Sequence, residues 1–225
     1  MSESTSPASP RKRASGLNRT VILDACLRLS AAHEGDPLTF RRIGRELGAD
    51  PTALYRHFAD KDELLLALAD RLLAEVMDGY SPASHWREAL GDLLARVRAK
   101  FLDYPHIATL AALRVTRQEG ELRFVEAMLG ILESAGFDPD AAARYHRSCA
   151  DFMLAWSGFG AGLKILGEKS AADDMAWVSS YSRLPRGSSP LAMRAVGIMA
   201  AISDDESFTL ALELLLDGIE VRAGA

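Results

Sequence analysis

Ten residues near the amino terminus, ADPTALYRHF at positions 49–58, combine an acidic residue, a proline, a tyrosine, an arginine and a histidine. Tyrosine, arginine and histidine side chains can donate hydrogen bonds to phosphate oxygens, and an arginine can also read the edge of a guanine base. A helix this short is marginal by itself, so neighbouring elements must hold it. The residue types of this segment therefore favour contact with a nucleic acid.

Two short helices joined by a glycine turn are predicted around this segment. Thr39 is placed to cap the first helix, and Leu47 ends it at Gly48, a residue that readily adopts the left-handed conformation of a tight stop. Asp50 caps the second helix, and Pro51 occupies a first-turn position where a missing N–H costs nothing. This order of elements is typical of a helix-turn-helix, whose second helix enters the major groove of DNA.

The same pattern divides the side chains into an inner and an outer set. A small core between the helices is expected from Ile43, Leu47, Leu54 and Phe58. The predicted DNA-contacting residues stand at the helix starts or face outward, and they are Thr39, Arg41, Arg42, Pro51, Thr52, Ala53, Tyr55, Arg56, His57 and Lys61. The alternative is a solvated basic face without a nucleic-acid partner.

Charge is distributed unevenly along the chain. Residues 1–60 contain nine Lys and Arg against seven Asp and Glu, a net charge of +2, whereas residues 61–225 contain 17 against 24, a net charge of −7. A basic beginning on an acidic body predicts a polyanion partner for the first part only. Residues 1–16, rich in Ser, Pro and Arg, are expected to form a disordered arm. This arm either follows the minor groove or serves as a solubilising tail.

The longer string TFRRIGRELGADPTALYRHFADKDELLLALAD, residues 39–70, resembles the DNA-binding domain of the TetR family of bacterial transcriptional regulators. The matching features are a helix that starts at a threonine, the Leu47–Gly48 turn, the Tyr-x-His-Phe recognition helix at residues 55–58, and Lys61. The resemblance is specific over residues 17–72 and looser over the remainder. It implies an all-α fold, with an N-terminal three-helix DNA-binding domain followed by a larger helical ligand-binding and dimerisation domain.

An all-helical chain is also what the caps and apolar spacings predict. A first helix is expected from Asn18, which can cap it, and a fourth from Asp60, which can form a capping box with Glu63. Further helices are expected near residues 85–102, 105–115, 120–135, 138–166, 190–200 and 203–221, the last with a capping box of Ser203 and Glu206, and residues 167–190 are expected to form an irregular connection. The predicted domains are the arm at 1–16, the helix-turn-helix domain at 17–64, and the regulatory and dimerisation domain at 65–225.

A ligand pocket and a dimer interface are predicted in the body. The candidate pocket residues are Phe101, His106, Leu110, Phe124, Met128, Phe152 and Trp156. The alternative is that these residues simply form part of the hydrophobic core. The candidate interface residues are Gly158, Gly162, Leu212, Leu215 and Ile219. Interior glycines cost about 1 kcal/mol relative to alanine, so Gly158 and Gly162 indicate either a close helix approach at a dimer interface or room for a ligand.

Catalytic and metal-binding motifs are not recognisable. The sequence has no Gly-rich phosphate loop, Gly-x-Ser-x-Gly, His-Glu-x-x-His or paired Cys motif, and Cys26 and Cys149 are expected to be buried free thiols. Residues 1–16 lack the apolar core that a signal peptide needs, and no apolar run approaches the roughly 18 residues that span a bilayer. We therefore expect a cytoplasmic protein that is not an enzyme and that has no cofactor, no metal and no membrane partner.

Together these observations predict a sequence-specific DNA-binding transcriptional regulator that works as a homodimer. A repressor is the simplest form, because occupying promoter DNA blocks polymerase. In that form, an unidentified small-molecule effector would release the protein from a palindromic double-stranded operator. The alternatives are a helical ligand-binding or scaffold protein, and activator or co-repressor behaviour in place of ligand-induced release.

Overall fold

The computed structural model describes residues 16–32, 38–185 and 187–223. These ranges form eleven helices and contain no strand. In chain order they are α1 (Arg19–Ala32), α2 (Phe40–Leu47), α3 (Pro51–Leu54), α4 (Lys61–Asp78), α5 (Trp86–Leu102), α6 (Pro105–Ala111), α7 (Glu119–Ser134), α8 (Pro139–Leu166), α9 (Glu168–Ser182), α10 (Pro190–Met199) and α11 (Asp204–Ala223). The predicted all-α fold is confirmed. The predicted arm lies outside the described residues, apart from Gly16.

Local capping explains where the first helices begin. The side-chain oxygen of Asn18 accepts a hydrogen bond from the N–H of Val21 at 2.9 Å, so α1 starts at the predicted place. Asp60 accepts from the N–H of Glu63 at 2.8 Å and starts α4. The Glu63 carboxylate accepts a hydrogen bond from the N–H of Ala59 at 2.7 Å. In the predicted capping box this donor would be the N–H of Asp60, so the bond is formed one residue earlier in the chain.

Helix α4 connects the amino-terminal helices to the body. α1 packs on α2 and on α4, and α2 packs on α3. α4 in turn packs on α5, α6 and α7. The buried apolar side chains form one core that runs from Ile22 in α1 to Ile219 in α11. The predicted boundary between residues 64 and 65 falls inside α4, so the division into domains stays a prediction.

The structure corrects the expected connection at residues 167–190. Glu168–Ser182 is the helix α9, and it follows Gly167, whose φ of 54° ends α8. None of the described side chains of α9 or α10 is buried, and the two helices pack on each other. A helix that buries so little carries no clear apolar stripe, so the periodicity of its sequence does not predict a helix. No described helix is both long and apolar enough to cross a membrane.

Candidate nucleic-acid interface and cavity

The turn between α2 and α3 has the geometry that its glycine predicts. Gly48 lies in the left-handed region, with φ 62° and ψ 28°, and its N–H bonds to the carbonyl of Arg45. The N–H of Ala49 bonds to the carbonyl of Gly44 at 2.9 Å. A Cβ at Gly44 would lie 2.8 Å from the Ala49 carbonyl oxygen and 3.3 Å from Pro51. Gly44 therefore permits the tight turn, a role that the sequence analysis missed although a glycine inside a short helix signals close approach.

Helix α3 is a single helical turn with a well-formed start. Asp50 accepts from the N–H of Thr52 at 2.8 Å and from its hydroxyl at 2.7 Å. The hydrogen bond from the Thr52 hydroxyl, and secondly the one from its N–H, lower the pKa of the Asp50 carboxyl below its usual range. Beyond Leu54 the chain continues in hydrogen-bonded turns as far as Phe58, whose N–H bonds to the Leu54 carbonyl at 3.0 Å. The α-helical part of the predicted recognition helix is therefore limited to Pro51–Leu54, and residues 55–58 continue it only as turns.

The predicted small core holds this pair of helices together. Ile43, Leu54 and Phe58 are fully buried, and Leu47 is half-buried. A residue that the sequence analysis missed, Arg19 of α1, lies 4.2 Å above the Phe58 ring. Its guanidinium also donates to the His57 carbonyl and forms an ion pair with Glu63 at 2.7 Å. Arg19 thus joins α1, the end of the recognition segment and α4.

The predicted DNA-contacting residues divide by exposure. Thr39, Arg41, Thr52, Tyr55, Arg56 and Lys61 are exposed, whereas Pro51, Ala53 and His57 are half-buried. The Tyr55 ring packs edge-to-face on Phe40 at 4.6 Å, which fixes its direction while its side chain remains 57% exposed. The Thr39 hydroxyl accepts from the N–H of Arg42 at 3.2 Å and caps α2 as predicted.

Arg42 differs from its neighbours in this set. It is half-buried, and its guanidinium donates to the carbonyl of Leu29 in α1 at 3.3 Å. The side chain therefore joins α1 to α2 in this structure, and the exposed arginine beside it is Arg41. A DNA contact from Arg42 would require this bond to break, so we leave Arg42 out of the proposed contact set.

A cavity of about 630 Å³ lies in the body, between α4, α5, α7, α8 and the link from α6 to α7. Of the seven predicted pocket residues, Phe101 and Phe124 line it. The other five do not. Met128 is fully buried in the core, Leu110 is 48% exposed and His106 is half-buried.

The remaining two predicted pocket residues belong to an aromatic cluster on the other side of α8. The rings of Phe152 and Trp156 lie 6.0 Å and 5.9 Å from the ring of Phe208 in α11. The buried guanidinium of Arg98 lies 4.3 Å above Phe208 and forms ion pairs with Asp204 and with Asp205, the latter at 2.8 Å. These aromatic residues tie α8, α5 and α11 together, which the spacing of single residues along α8 could not reveal.

The histidine at the cavity is His146, and the predicted His106 does not line it. Nε2 of His146 is buried and has no hydrogen-bond partner among the described residues. Burial lowers the pKa of His146 below its ordinary value, and the nearby Glu121 carboxylate opposes this shift. This shift favours the neutral form of the ring.

Acidic residues hold the wall of the cavity against α4. The buried carboxylate of Asp70 accepts from the Thr116 hydroxyl at 2.8 Å, the Gly120 N–H at 3.0 Å and the Glu121 N–H at 2.9 Å. A Cβ at Gly120 would lie 2.3 Å from the Asp70 carbonyl oxygen and 2.8 Å from the Ala74 nitrogen. Only a glycine lets α7 approach α4 this closely, and the sequence analysis missed both Asp70 and Gly120.

A second cavity of about 440 Å³ adjoins the first, and the two share the lining residues Ala112, Leu113, Asp151 and Leu154. Gly158 lines this second cavity. Within the described part of the chain, no group of three or more His, Cys, Asp or Glu residues is arranged to hold a metal ion.

Two family models match the chain. The model of bacterial regulatory proteins of the tetR family matches residues 22–68, and the model of the tetracyclin repressor-like C-terminal domain matches residues 79–223, which is more than half of the chain. This chain belongs to the TetR family. The resemblance of residues 39–70 to the DNA-binding domain of that family is thereby confirmed.

Individual members of the TetR family are similar over different lengths. HTH-type transcriptional repressor Rv1353c of Mycobacterium tuberculosis is 31% identical over 113 residues, which cover 49% of this chain and only 43% of that protein. Tetracycline repressor protein class D of Escherichia coli is 29% identical over 211 residues, covering 93% and 92%. The crystal structure of apo ActR from Streptomyces coelicolor superposes with a TM-score of 0.80 at 25% identity, covering 94% of this chain and 100% of that one.

Burial within the single chain separates the predicted dimer residues of this TetR-family protein. Leu212 and Ile219 are buried in the core of their own chain and Leu215 is half-buried, so the exposed apolar residues of α11 are Leu210, Leu214 and Val221. A Cβ at Gly158 would lie 2.8 Å from the Cβ of Ala112 in the same chain, whereas at Gly162 no described atom lies within 4 Å. Gly158 therefore serves the close approach of α8 to the end of α6. Because α11 is apolar on two sides, its sequence could not reveal which side faces inward.

Proposed function

We propose that this chain is a sequence-specific DNA-binding repressor that leaves a palindromic operator when a small molecule enters its helical body. The observation that carries the proposal is the group of cations at the helix-turn-helix. Arg41, Arg56 and Lys61 are exposed, and none of their side chains has a hydrogen-bond or ion-pair partner among the described residues. Unpaired cations beside a helix-turn-helix, on a chain with a net charge of −5, favour a polyanion partner.

The proposed contacts follow from where these side chains stand. Arg41 in α2 is assigned to a guanine edge, and Thr52 to base edges at the start of α3. Tyr55, held by Phe40, and Lys61, at the first position of α4, are assigned to phosphate oxygens. Phosphate contacts fix the position of the protein on the duplex, whereas the arginine contact supplies sequence specificity.

A homodimer would present two such units to a palindrome. Two recognition helices about one DNA turn apart, roughly 34 Å, match half-sites of that spacing. We assign the dimer contact to apolar side chains that the single chain leaves exposed, which are Phe159, Ile165 and Leu166 on α8 and Leu210, Leu214 and Val221 on α11. Covering them with a second copy removes apolar surface from water, which is favourable.

The cavity is connected to the DNA-binding helices through α4. Arg114, which lines the cavity, forms an ion pair with Asp62 at 2.9 Å, one residue beyond Lys61. Thr116 and Glu121, which also line it, bond to Asp70 further along α4. A ligand that displaces residues 112–118 would therefore shift α4. Changing the DNA-competent population from 99:1 to 1:99 requires about 5.5 kcal/mol of differential affinity.

Similarity over nearly the whole chain supports the repressor form of this proposal. The tetracycline repressor of class D is named for both repression and a small molecule, and it matches 93% of this chain. We carry over repression and small-molecule response but not tetracycline itself. We also infer that the protein has no enzymatic role and acts in the cytoplasm, where it meets chromosomal DNA.

The test is a salt-titrated binding assay on the DNA that flanks this protein's own gene. We expect tight binding that weakens steeply with salt and saturates at one dimer per palindrome. The control is the same titration on shuffled DNA of equal length and composition. Equal affinity for both DNAs at every salt concentration would contradict sequence-specific regulation at that site. A ligand that tightens operator binding would indicate a co-repressor mechanism in place of release.

A further inference from the structure

The lining of the main cavity is apolar and carries no net charge from its charged residues. Phe101, Phe124 and Met153 are buried in its wall. The charged residues of the lining are two arginines, Arg114 and Arg147, and two carboxylates, Glu121 and Asp151, so their formal charges sum to zero.

Each of these four charged groups already has a partner within the protein. Arg114 pairs with Asp62 at 2.9 Å, and Arg147 pairs with Asp151 at 2.8 Å. The Glu121 carboxylate accepts from the N–H groups of Thr116 and Arg117. The lining therefore leaves no unpaired charge for a charged ligand, and a charge buried among its apolar side chains without a counter-charge would be costly.

One polar atom in this lining is left without a partner. His146 lines the cavity, and its buried Nε2 bonds to no described residue. A buried unpaired nitrogen costs about 1–3 kcal/mol, so a ligand that pairs with it recovers part of that cost. A hydroxyl group can both donate and accept, and it therefore suits either tautomer of a neutral imidazole.

We propose that the effector of this cavity is an uncharged, mainly apolar molecule with fused or linked rings and a hydroxyl group that hydrogen-bonds to Nε2 of His146. This inference rests on the proposed function, because a ligand of this cavity is an effector only if its binding changes the affinity for DNA. The volume of about 630 Å³ suits a drug-sized molecule of several rings. Phe101 and Phe124 contribute aromatic side chains to the lining.

The test uses three fluorescent compounds that share one ring system: 1-hydroxypyrene, pyrene and pyrene-1-sulfonate. Each is titrated into the full-length protein at pH 7 without DNA. We expect 1-hydroxypyrene to bind about 3- to 10-fold more tightly than pyrene, because it alone of these two pairs with His146. We expect pyrene-1-sulfonate to bind at least about tenfold more weakly than 1-hydroxypyrene, because its charge finds no free partner.

Histidine variants then assign the hydrogen bond to one residue. His146→Leu should lower the affinity for 1-hydroxypyrene to that of pyrene, and His146→Gln should keep most of the difference because its amide can still bond to a hydroxyl. The matched control is His106→Leu, a half-buried histidine outside the lining, which should change neither affinity. Circular dichroism checks that each variant is folded.

The outcomes separate this inference from the proposed function. Equal binding of the hydroxyl and sulfonate compounds, no binding of 1-hydroxypyrene, or an unchanged affinity in His146→Leu would overturn the ligand class. Each of these results leaves the salt-titrated operator assay unaffected. If the protein shows no specific operator binding but still binds 1-hydroxypyrene through His146, only the regulator proposal is overturned.

Discussion

The helix-turn-helix and the main cavity treat polar groups in opposite ways. Around α2–α4, Thr39, Asp50 and Asp60 satisfy the first-turn N–H groups, and cations such as Arg41 remain free on the outside. Around the cavity, each charged side chain already has a partner within the protein, and the group left unpaired among the described residues is a buried nitrogen of His146. The first arrangement suits a highly charged partner that arrives from solvent, whereas the second suits a neutral ligand that leaves water.

The two regions also differ in how they are built. The helix-turn-helix depends on contacts between residues close in sequence, such as the turn at Gly44 and Gly48. The cavity depends on contacts across long separations, such as Asp70 with Gly120. The turn of the helix-turn-helix is therefore set by local sequence, although its helices need α1 and α4 beside them. The cavity exists only once α4, α7 and α8 have packed.

The largest expected effect tests whether the helix-turn-helix and the body around the cavity unfold separately. Leu54→Ala removes a fully buried side chain from the small core and should cost about 2–5 kcal/mol. Burial raises the pKa of both Cys26 and Cys149 to about 12, so at pH 8 both thiols stay protonated and unreactive until their surroundings open. We expect Leu54→Ala to speed the labelling of Cys26 by a disulfide reagent while Cys149 stays protected. Equal acceleration at both thiols would mean that the regions unfold as one unit.

The next effect tests the packing of the cavity wall. Gly120→Ala places a methyl group 2.3 Å from the Asp70 carbonyl oxygen and should lower the free energy of unfolding by about 1–3 kcal/mol or more. Gly130→Ala, on the same helix, meets no described atom within 4 Å and should raise it by up to about 1 kcal/mol. Urea unfolding of both variants provides the measurement. A Gly120→Ala protein as stable as the parent would show that α4 and α7 are not held this closely.

A comparable effect on DNA binding separates two adjacent arginines. Arg41→Ala should weaken operator binding by about 1–3 kcal/mol and relax specificity at one base pair. Arg42→Ala should instead remove the bond to the Leu29 carbonyl, lower stability by about 1 kcal/mol and leave base preference unchanged. Binding to operators with single base-pair changes distinguishes the two. Relaxed specificity in Arg42→Ala alone would reverse the assignment.

The smallest effect concerns the phosphate contact. Lys61→Ala should weaken binding to all sequences alike and reduce the slope of log affinity against log salt by about 0.9, because one fewer counterion is released. Arg96→Ala is the matched control, since Arg96 is exposed on α5 and pairs with Asp92. An unchanged salt slope in Lys61→Ala would remove that residue from the interface.

Prediction from sequence succeeded where the deciding interaction is local. The capping box of α11 is an example, because the Ser203 N–H bonds to Glu206 at 2.8 Å and the Glu206 N–H bonds back to the Ser203 hydroxyl at 3.2 Å. It failed where the deciding partner is distant in the chain. Helix α9 was missed because it buries no described side chain, and Phe152 was misplaced because its partner Phe208 lies 56 residues further along.

Local sequence was enough to predict the helix starts, the left-handed stop at Gly48, the small core under α2 and α3, and membership of the TetR family. These depend on hydrogen bonds within a few residues and on a short string of side chains. Tertiary structure alone decided that His146 and not His106 lines the cavity, and that Leu210 and not Leu212 is exposed on α11. Those outcomes depend on how each helix is rotated about its axis, and the rotation is set by packing partners that are distant in sequence.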